Sequence, residues 1–278
     1  MPVRHPRPTR RTFLAAAAAF SAAGLRSAAA QDPEVPLELG IQLYSLRGFP
    51  VEQALVHVRD LGLKFVEFYP GMFPVTDDVD SIAALKRKLA DLGLSISGYG
   101  VVGFGADAAK NRELFEFARR AGIRTLTADP DPAAFASLDE LVREFDVRVA
   151  IHNHGPTHRY NKAIDVLHAI EGHDERIGAC ADLGHYVRSG EKPTEVIRLL
   201  AGRLYGIHLK DFAEMQDQTR GVILGRGHVD VPAVVAALRQ ARFPADGALS
   251  IEYEENPQNP LADLRACVQV ARDALARS

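Results

Sequence analysis

The sequence predicts a single α/β domain, a (β/α)8 or TIM barrel, on three observations. From Leu37 onward, short apolar runs alternate with amphipathic helical windows at intervals of about thirty residues, the signature of βα units on a parallel sheet. Eight such units fit in the chain, which favours a closed barrel over an open doubly wound sheet. Four consecutive late runs each finish on an ionisable residue of a metal-binding type, as expected where strand C-termini share one rim.

The elements follow in order. Arg4, Arg7, Arg10 and Arg11 precede an apolar, alanine-rich stretch that ends in small residues at Ala28 to Ala30. That is the layout of a cleavable export signal. Thr9 to Leu14, T-R-R-T-F-L, resembles a twin-arginine signal. Residues 1–30 are therefore expected to be a leader, 31–278 the barrel, and the location periplasmic or secreted. The predicted strands are 37–44, 64–69, 94–99, 123–128, the run ending at His154, 177–182, 204–211 and 248–254. Helical windows lie at 52–61, 81–92, 106–121, 138–145, 161–170, 194–200, 231–241 and 260–276. Gly62, Gly93 and Gly122 stand where a left-handed residue ends a helix, and Asp230 followed by Pro232 reads as a helix start.

Composition narrows the function. Of 278 residues, 47% are hydrophobic and 25% charged, with a net charge of -3, so a large core is available and no basic footprint invites nucleic acid. No G-x-G-x-x-G follows the first strand, which argues against a dinucleotide site. After the leader no run reaches the roughly 18 apolar residues of a membrane span. Cys180 and Cys267 are expected to be buried thiols rather than a disulfide.

The site is expected at the strand C-termini. V-R-V-A-I-H-N-H ends in two imidazoles, and later runs close on Asp182, His208 and Glu252. If these strands are neighbours, His152, Asp182, His208 and Glu252 converge. Burying two carboxylates uncompensated is costly, and one divalent ion would neutralise them.

A-D-L-G-H, H-L-K-D, G-R-G-H-V-D and S-I-E-Y-E, in this order, resemble the sugar phosphate isomerase/epimerase family, the xylose isomerase-like TIM barrels, over roughly residues 37–276. The resemblance implies a metal-binding barrel acting on a small-molecule sugar, polyol or keto acid. It implies Asp182, His208 and Glu252 as ligands, with Glu254 in reserve. One position departs: the family's E-N-H reads His152-Asn153-His154 here. Two imidazoles and two carboxylates favour Mn, Zn, Co, Fe or Ni over Mg. The change also breaks the paired glutamates that family epimerases use on opposite substrate faces, leaving one-sided proton abstraction by Glu252 or Glu254.

Further expectations attach to single residues. The resemblance implies that His154 bonds a substrate oxygen, holding Asn153 or a loop being its alternative, and that His185 touches substrate or a further metal. Lys210 faces the site two residues after His208 and would stabilise an enediolate oxygen. Asp211 would point away and serve as a loop or helix cap. Arg226 could reach a hydroxyl or phosphate. Glu67 and Gln42 either line the pocket or bond between strands, and Tyr44, Tyr69 and Phe104 either stack on a sugar or pack the core. The expected activity is an exported, metal-dependent isomerase or epimerase reaction through proton abstraction next to a carbonyl. An eliminating 3-keto-glycoside lyase and a sugar-binding barrel without turnover are the alternatives, and homo-oligomerisation is open.

Overall fold

The computed structural model describes residues 36–277; the expected leader, with its twin-arginine segment, lies outside the described residues. Eight parallel strands close into a barrel: β1 Leu39–Gln42, β2 Phe65–Phe68, β3 Ser95–Phe104, β4 Thr125–Pro130, β5 Arg148–His152, β6 Ile177–Asp182, β7 Leu204–Leu209 and β10 Ala248–Ile251. Their order around the barrel is that of the chain, and β10 pairs back onto β1 through Leu39–Leu249 and Ile41–Ile251. Two short strands, β8 Asp211–Phe212 and β9 Gly221–Val222, form an antiparallel hairpin after β7. The helices are α1 Val51–Asp60, α2 Val79–Leu92, α3 Ala108–Ala121, α4 Phe135–Phe145, α5 Ala163–Ile170, α6 Leu183–Arg188, α7 Pro193–Leu199, α8 Val231–Gln240 and α9 Leu261–Arg277.

Local chemistry explains where these elements start and stop. Asp78, Asp107 and Asp230 accept backbone N–H groups in the first turns of α2, α3 and α8, offsetting donors that a helix leaves unpaired. Gly93 and Gly122 end α2 and α3 at φ +66° and +80°. The helices bury one face against the barrel. Phe117 of α3 packs edge-on to Tyr99 of β3, and Phe115 contacts Phe104 and Phe145, each fully buried ring contributing about 1.5–3 kcal/mol. No helix among the described residues is long and apolar enough to cross a membrane.

Several features depart from expectation. β1 is shorter than the predicted 37–44, and β5, β7 and β10 end at His152, Leu209 and Ile251, short of the predicted 154, 211 and 254. β3 runs on to Phe104, beyond the predicted end at residue 99. The hairpin and the six-residue helix α6 were not anticipated. α6 exists because Asp182, the last residue of β6, accepts the His185 N–H through Oδ1 at 2.8 Å and so starts a helix at the barrel mouth.

Candidate functional site

Neighbouring strands of a parallel barrel present their last residues to one rim, and the register here brings Asp182 level with His208 and His152 level with Cys180. One ligand atom from each of His152, Asp182, His208 and Glu252 lies within 4.8 Å of all the others. All four are buried, Asp182 completely and Glu252 to 7% exposure. His208 Nδ1 stands 2.9 Å from Glu252 Oε2, and His152 Nε2 stands 3.1 Å from His208 Nδ1 and 3.6 Å from Asp182 Oδ2.

Each group is held from behind. Asn153 locks β5 to β6, accepting the Asp182 N–H at 2.8 Å and donating to the Asp182 carbonyl at 3.0 Å. With Oδ1 committed to the α6 cap, Asp182 turns Oδ2 toward the centre. On the opposite side of the His208 ring, Nε2 is 3.0 Å from Glu67 Oε2, and Glu67 also accepts from Thr127 Oγ1 and Ser250 Oγ. Burial raises the Glu67 pKa, but His208, Thr127 and Ser250 together lower it. Glu67 is thus a carboxylate that fixes a proton on His208 Nε2, and a cation at the centre would displace the Nδ1 proton and take that lone pair.

Lys210 supplies a cation. Its Nζ is 2.8 Å from Asp182 Oδ2, 3.0 Å from Glu252 Oε2 and 2.6 Å from Glu254 Oε1. Burial would lower its pKa, but Asp182, Glu252 and Glu254 raise it well above the ordinary value, so the ammonium stays charged. Gly184 makes room for it: a Cβ there would lie 2.7 Å from Lys210 Cγ and 3.0 Å from the Phe212 ring. The A-D-L-G-H motif therefore needs its glycine for the lysine to lie across α6.

The donor set fits a divalent ion. Asp182 Oδ2 and Glu252 Oε2 are buried without a properly aligned hydrogen bond among the described residues, although Lys210 lies within ion-pair reach. Two acids and one ammonium leave a negative charge beside two imidazoles. Against it, His208 is driven well above its ordinary pKa: burial opposes protonation, but Cys180, Glu67 and Glu252 outweigh it. An N2O2 set of this kind suits a first-row transition ion better than Mg.

The remaining expected residues divide. His154 and His185 face the same cup, their rings 5.8 Å apart. Burial brings each pKa down to about 3, with His152 and Lys210 adding to it and Asp182 opposing it. Both are neutral at neutral pH. Glu254 sits at the rim with a 40% exposed side chain. Gln42, by contrast, spends its amide within the framework, Nε2 donating to the Gly100 carbonyl and Oε1 accepting the Tyr44 N–H. Gln42 and Glu67 therefore take the inter-strand alternative over pocket lining, because their polar atoms are consumed below the rim. Arg226 is exposed on the loop before α8, outside the four-residue group. Tyr44 is at the rim, edge-on to Tyr69, whereas Phe104 is core.

Arg188 was not anticipated. It donates to the Asp217 carbonyl and carboxylate and lies 3.3 Å from His185 Nδ1, tying α6 to the turn of the β8–β9 hairpin. With Nδ1 facing a guanidinium, the His185 ring proton belongs on Nε2, 3.9 Å from Asp182 Oδ2. The only signal in sequence was the i, i+3 spacing of His185 and Arg188, which is too common to single out.

The family described as xylose isomerase-like TIM barrel matches residues 55–272. A 3-oxo-isoapionate decarboxylase of Pectobacterium atrosepticum is 34% identical over 90 residues, 30% of this chain and 33% of that protein. An inosose dehydratase of Clostridium botulinum is 28% identical over 142 residues, 45% of this chain and 47% of that one. The matched regions thus span between a third and half of these relatives. The structure of an L-ribulose 3-epimerase superposes with a TM-score of 0.68 at 19% identity, covering 86% of this chain and 94% of the other, a likeness of fold.

Proposed function

The chain belongs to the xylose isomerase-like TIM barrel family, and from that premise we propose that it is an exported, metal-dependent enzyme that removes a proton next to the carbonyl of a sugar or sugar derivative. The observation that carries this reading is the meeting of His152, Asp182, His208 and Glu252 at the barrel mouth with the Lys210 ammonium among them. Export rests on the N-terminal sequence alone.

A divalent ion held by these four residues would polarise the substrate carbonyl and acidify the adjacent C–H. The chain's own groups do the rest. Glu254 is the base: it is more exposed than Glu252, which is enclosed by His208 and Lys210. Lys210, charged and fixed, donates to the oxygen on which charge develops. His185 offers its Nε2–H to a substrate hydroxyl.

A second reading is elimination beside a keto group, as a 3-keto-glycoside lyase would perform. Both rim glutamates follow one strand, β10, while imidazoles line the other side, an arrangement suited to removing one proton and losing a substituent. The dehydratase among the relatives supports the same direction.

The test is turnover in D2O with a panel of ketoses, aldoses and 3-keto-glycosides. Solvent deuterium is expected beside the carbonyl, stopped by chelation and restored by Mn2+ or Zn2+. Full turnover after metal stripping, or product free of solvent hydrogen, contradicts the proposal. A changed ketose to aldose ratio identifies an isomerase, and a released glycosidic substituent a lyase. In addition, Glu67→Gln is expected to weaken metal binding by about 10–100-fold through His208, read by metal titration; unchanged affinity would remove Glu67 from the centre's support.

A further inference from the structure

Beside the four-residue centre, at the ends of β4 and β5, stands a second group whose chemistry the reaction above does not use. Asp129, His154 and His158 each offer a ligand atom within 4.8 Å of the other two. His158 Nε2 is 3.2 Å from Asp129 Oδ2, and the His154 and His158 rings are 4.4 Å apart. Asp129 Oδ1 and His154 Nδ1 are buried with no hydrogen-bond partner among the described residues, an arrangement that is unfavourable unless something occupies it.

The group is prebuilt. The loop carrying His158 is fastened to the end of β4 by Tyr160 Oη and Arg159, both donating to the Pro130 carbonyl, and by Arg159 to Asp131. The His154 N–H closes the loop on the Tyr160 carbonyl at 3.0 Å. No folding of the loop around a ligand is needed, so little ordering entropy opposes binding.

We propose that Asp129, His154 and His158 form a second divalent-cation site. Two imidazoles and one carboxylate on one side of an ion select Zn, Co, Ni or Fe over Mg or Ca, and leave the remaining positions to water or a substrate hydroxyl. About a third of the Asp129 and His158 side chains is exposed, so this site is more open than the buried centre and exchanges its ion more readily. Coordination through His158 Nε2 puts the ring proton on Nδ1, loosening the 3.3 Å contact from the Tyr160 N–H to that atom and replacing the direct His158 Nε2 to Asp129 contact with bonds to the ion. His154 packs against His152 of the first centre at 4.7 Å between ring centroids, so the two sites share a wall of the cup. The proposal needs neither the substrate nor the reaction assigned above.

The test is Co2+ loading of the untagged full chain after metal stripping, counted by elemental analysis and by visible absorption. Two equivalents are expected in the wild type, and one in each of His158→Asn and Asp129→Asn, two separate variants at partly exposed positions that guard against a folding failure in either. Asp182→Asn is expected to keep the equivalent at the second site. Wild-type stoichiometry in both His158→Asn and Asp129→Asn overturns the proposal, as does a wild type that binds none. If the wild type binds a single equivalent, its loss in Asp182→Asn overturns the second site. Its loss in His158→Asn instead upholds that site and overturns the first centre.

Discussion

Asp182→Asn is expected to abolish metal binding at the buried centre and to reduce turnover about a thousandfold while leaving the barrel folded. The substitution separates the two oxygens of one side chain. Oδ1 caps α6 through the His185 N–H, and asparagine caps nearly as well as aspartate, so helix and strand end survive. Oδ2 faces Lys210 at 2.8 Å and the rings of His152 and His208 at 3.6 and 3.9 Å. There the variant loses the charge that offsets a cation. A lost ion costs several kcal/mol of transition-state stabilisation, and about 4 kcal/mol corresponds to roughly a thousandfold in rate. Metal titration and deuterium uptake measure the two effects. Undiminished loading with undiminished exchange would show that the carboxylate at 182 holds no ion.

Asp211→Ala is expected to destabilise the barrel by about 3–5 kcal/mol and to loosen the loop before α8. Asp211 is 2% exposed and accepts five backbone N–H groups. Oδ1 takes Phe212, His228 and Val229, and Oδ2 takes Gly225 and Gly227, at 2.8–3.2 Å. The loop lies so close that a Cβ on Gly227 would meet the Phe212 carbonyl at 2.0 Å. Alanine strands the amides, each still-buried one costing about 1–3 kcal/mol, and those that reach water less. For a domain of this size, about 2–4 °C per kcal/mol predicts a melting temperature lower by about 10 °C, read by calorimetry. A change under about 3 °C would mean that the loop is held otherwise. The same contacts explain the G-R-G-H-V-D segment: its glycines let the chain wrap one carboxylate, and Arg226 is left exposed on the loop.

Export of a folded chain, were the leader to act as its sequence suggests, places no further demand on this site. The demand comes from His152. With imidazole at that position, the carboxylates of the centre are Asp182 at the end of β6 and Glu252 after β10, with Glu254 at the rim beyond it. His152 lies beside His154 and His185, and His154 in turn beside His158, a run of imidazoles along one wall.

What the sequence by itself determined is the alternation of elements and which ionisable residues lie near the strand ends: apolar runs mark buried strands, amphipathic windows mark helices, and an ionisable residue at the end of a buried strand such as Ile177–Asp182 has to face a rim. Only the tertiary structure decided who meets whom. Glu67 and His208 are 141 positions apart in sequence yet 3.0 Å apart in space, and Asp129 pairs with His158 from the loop after β5. Helix α6 is too short for periodicity to reveal, since its start depends on which oxygen of Asp182 turns back to the chain. The physical reason is that patterning reports only which side of an element avoids water, whereas the partners of a polar atom are set by strand register and barrel closure, which no local stretch encodes.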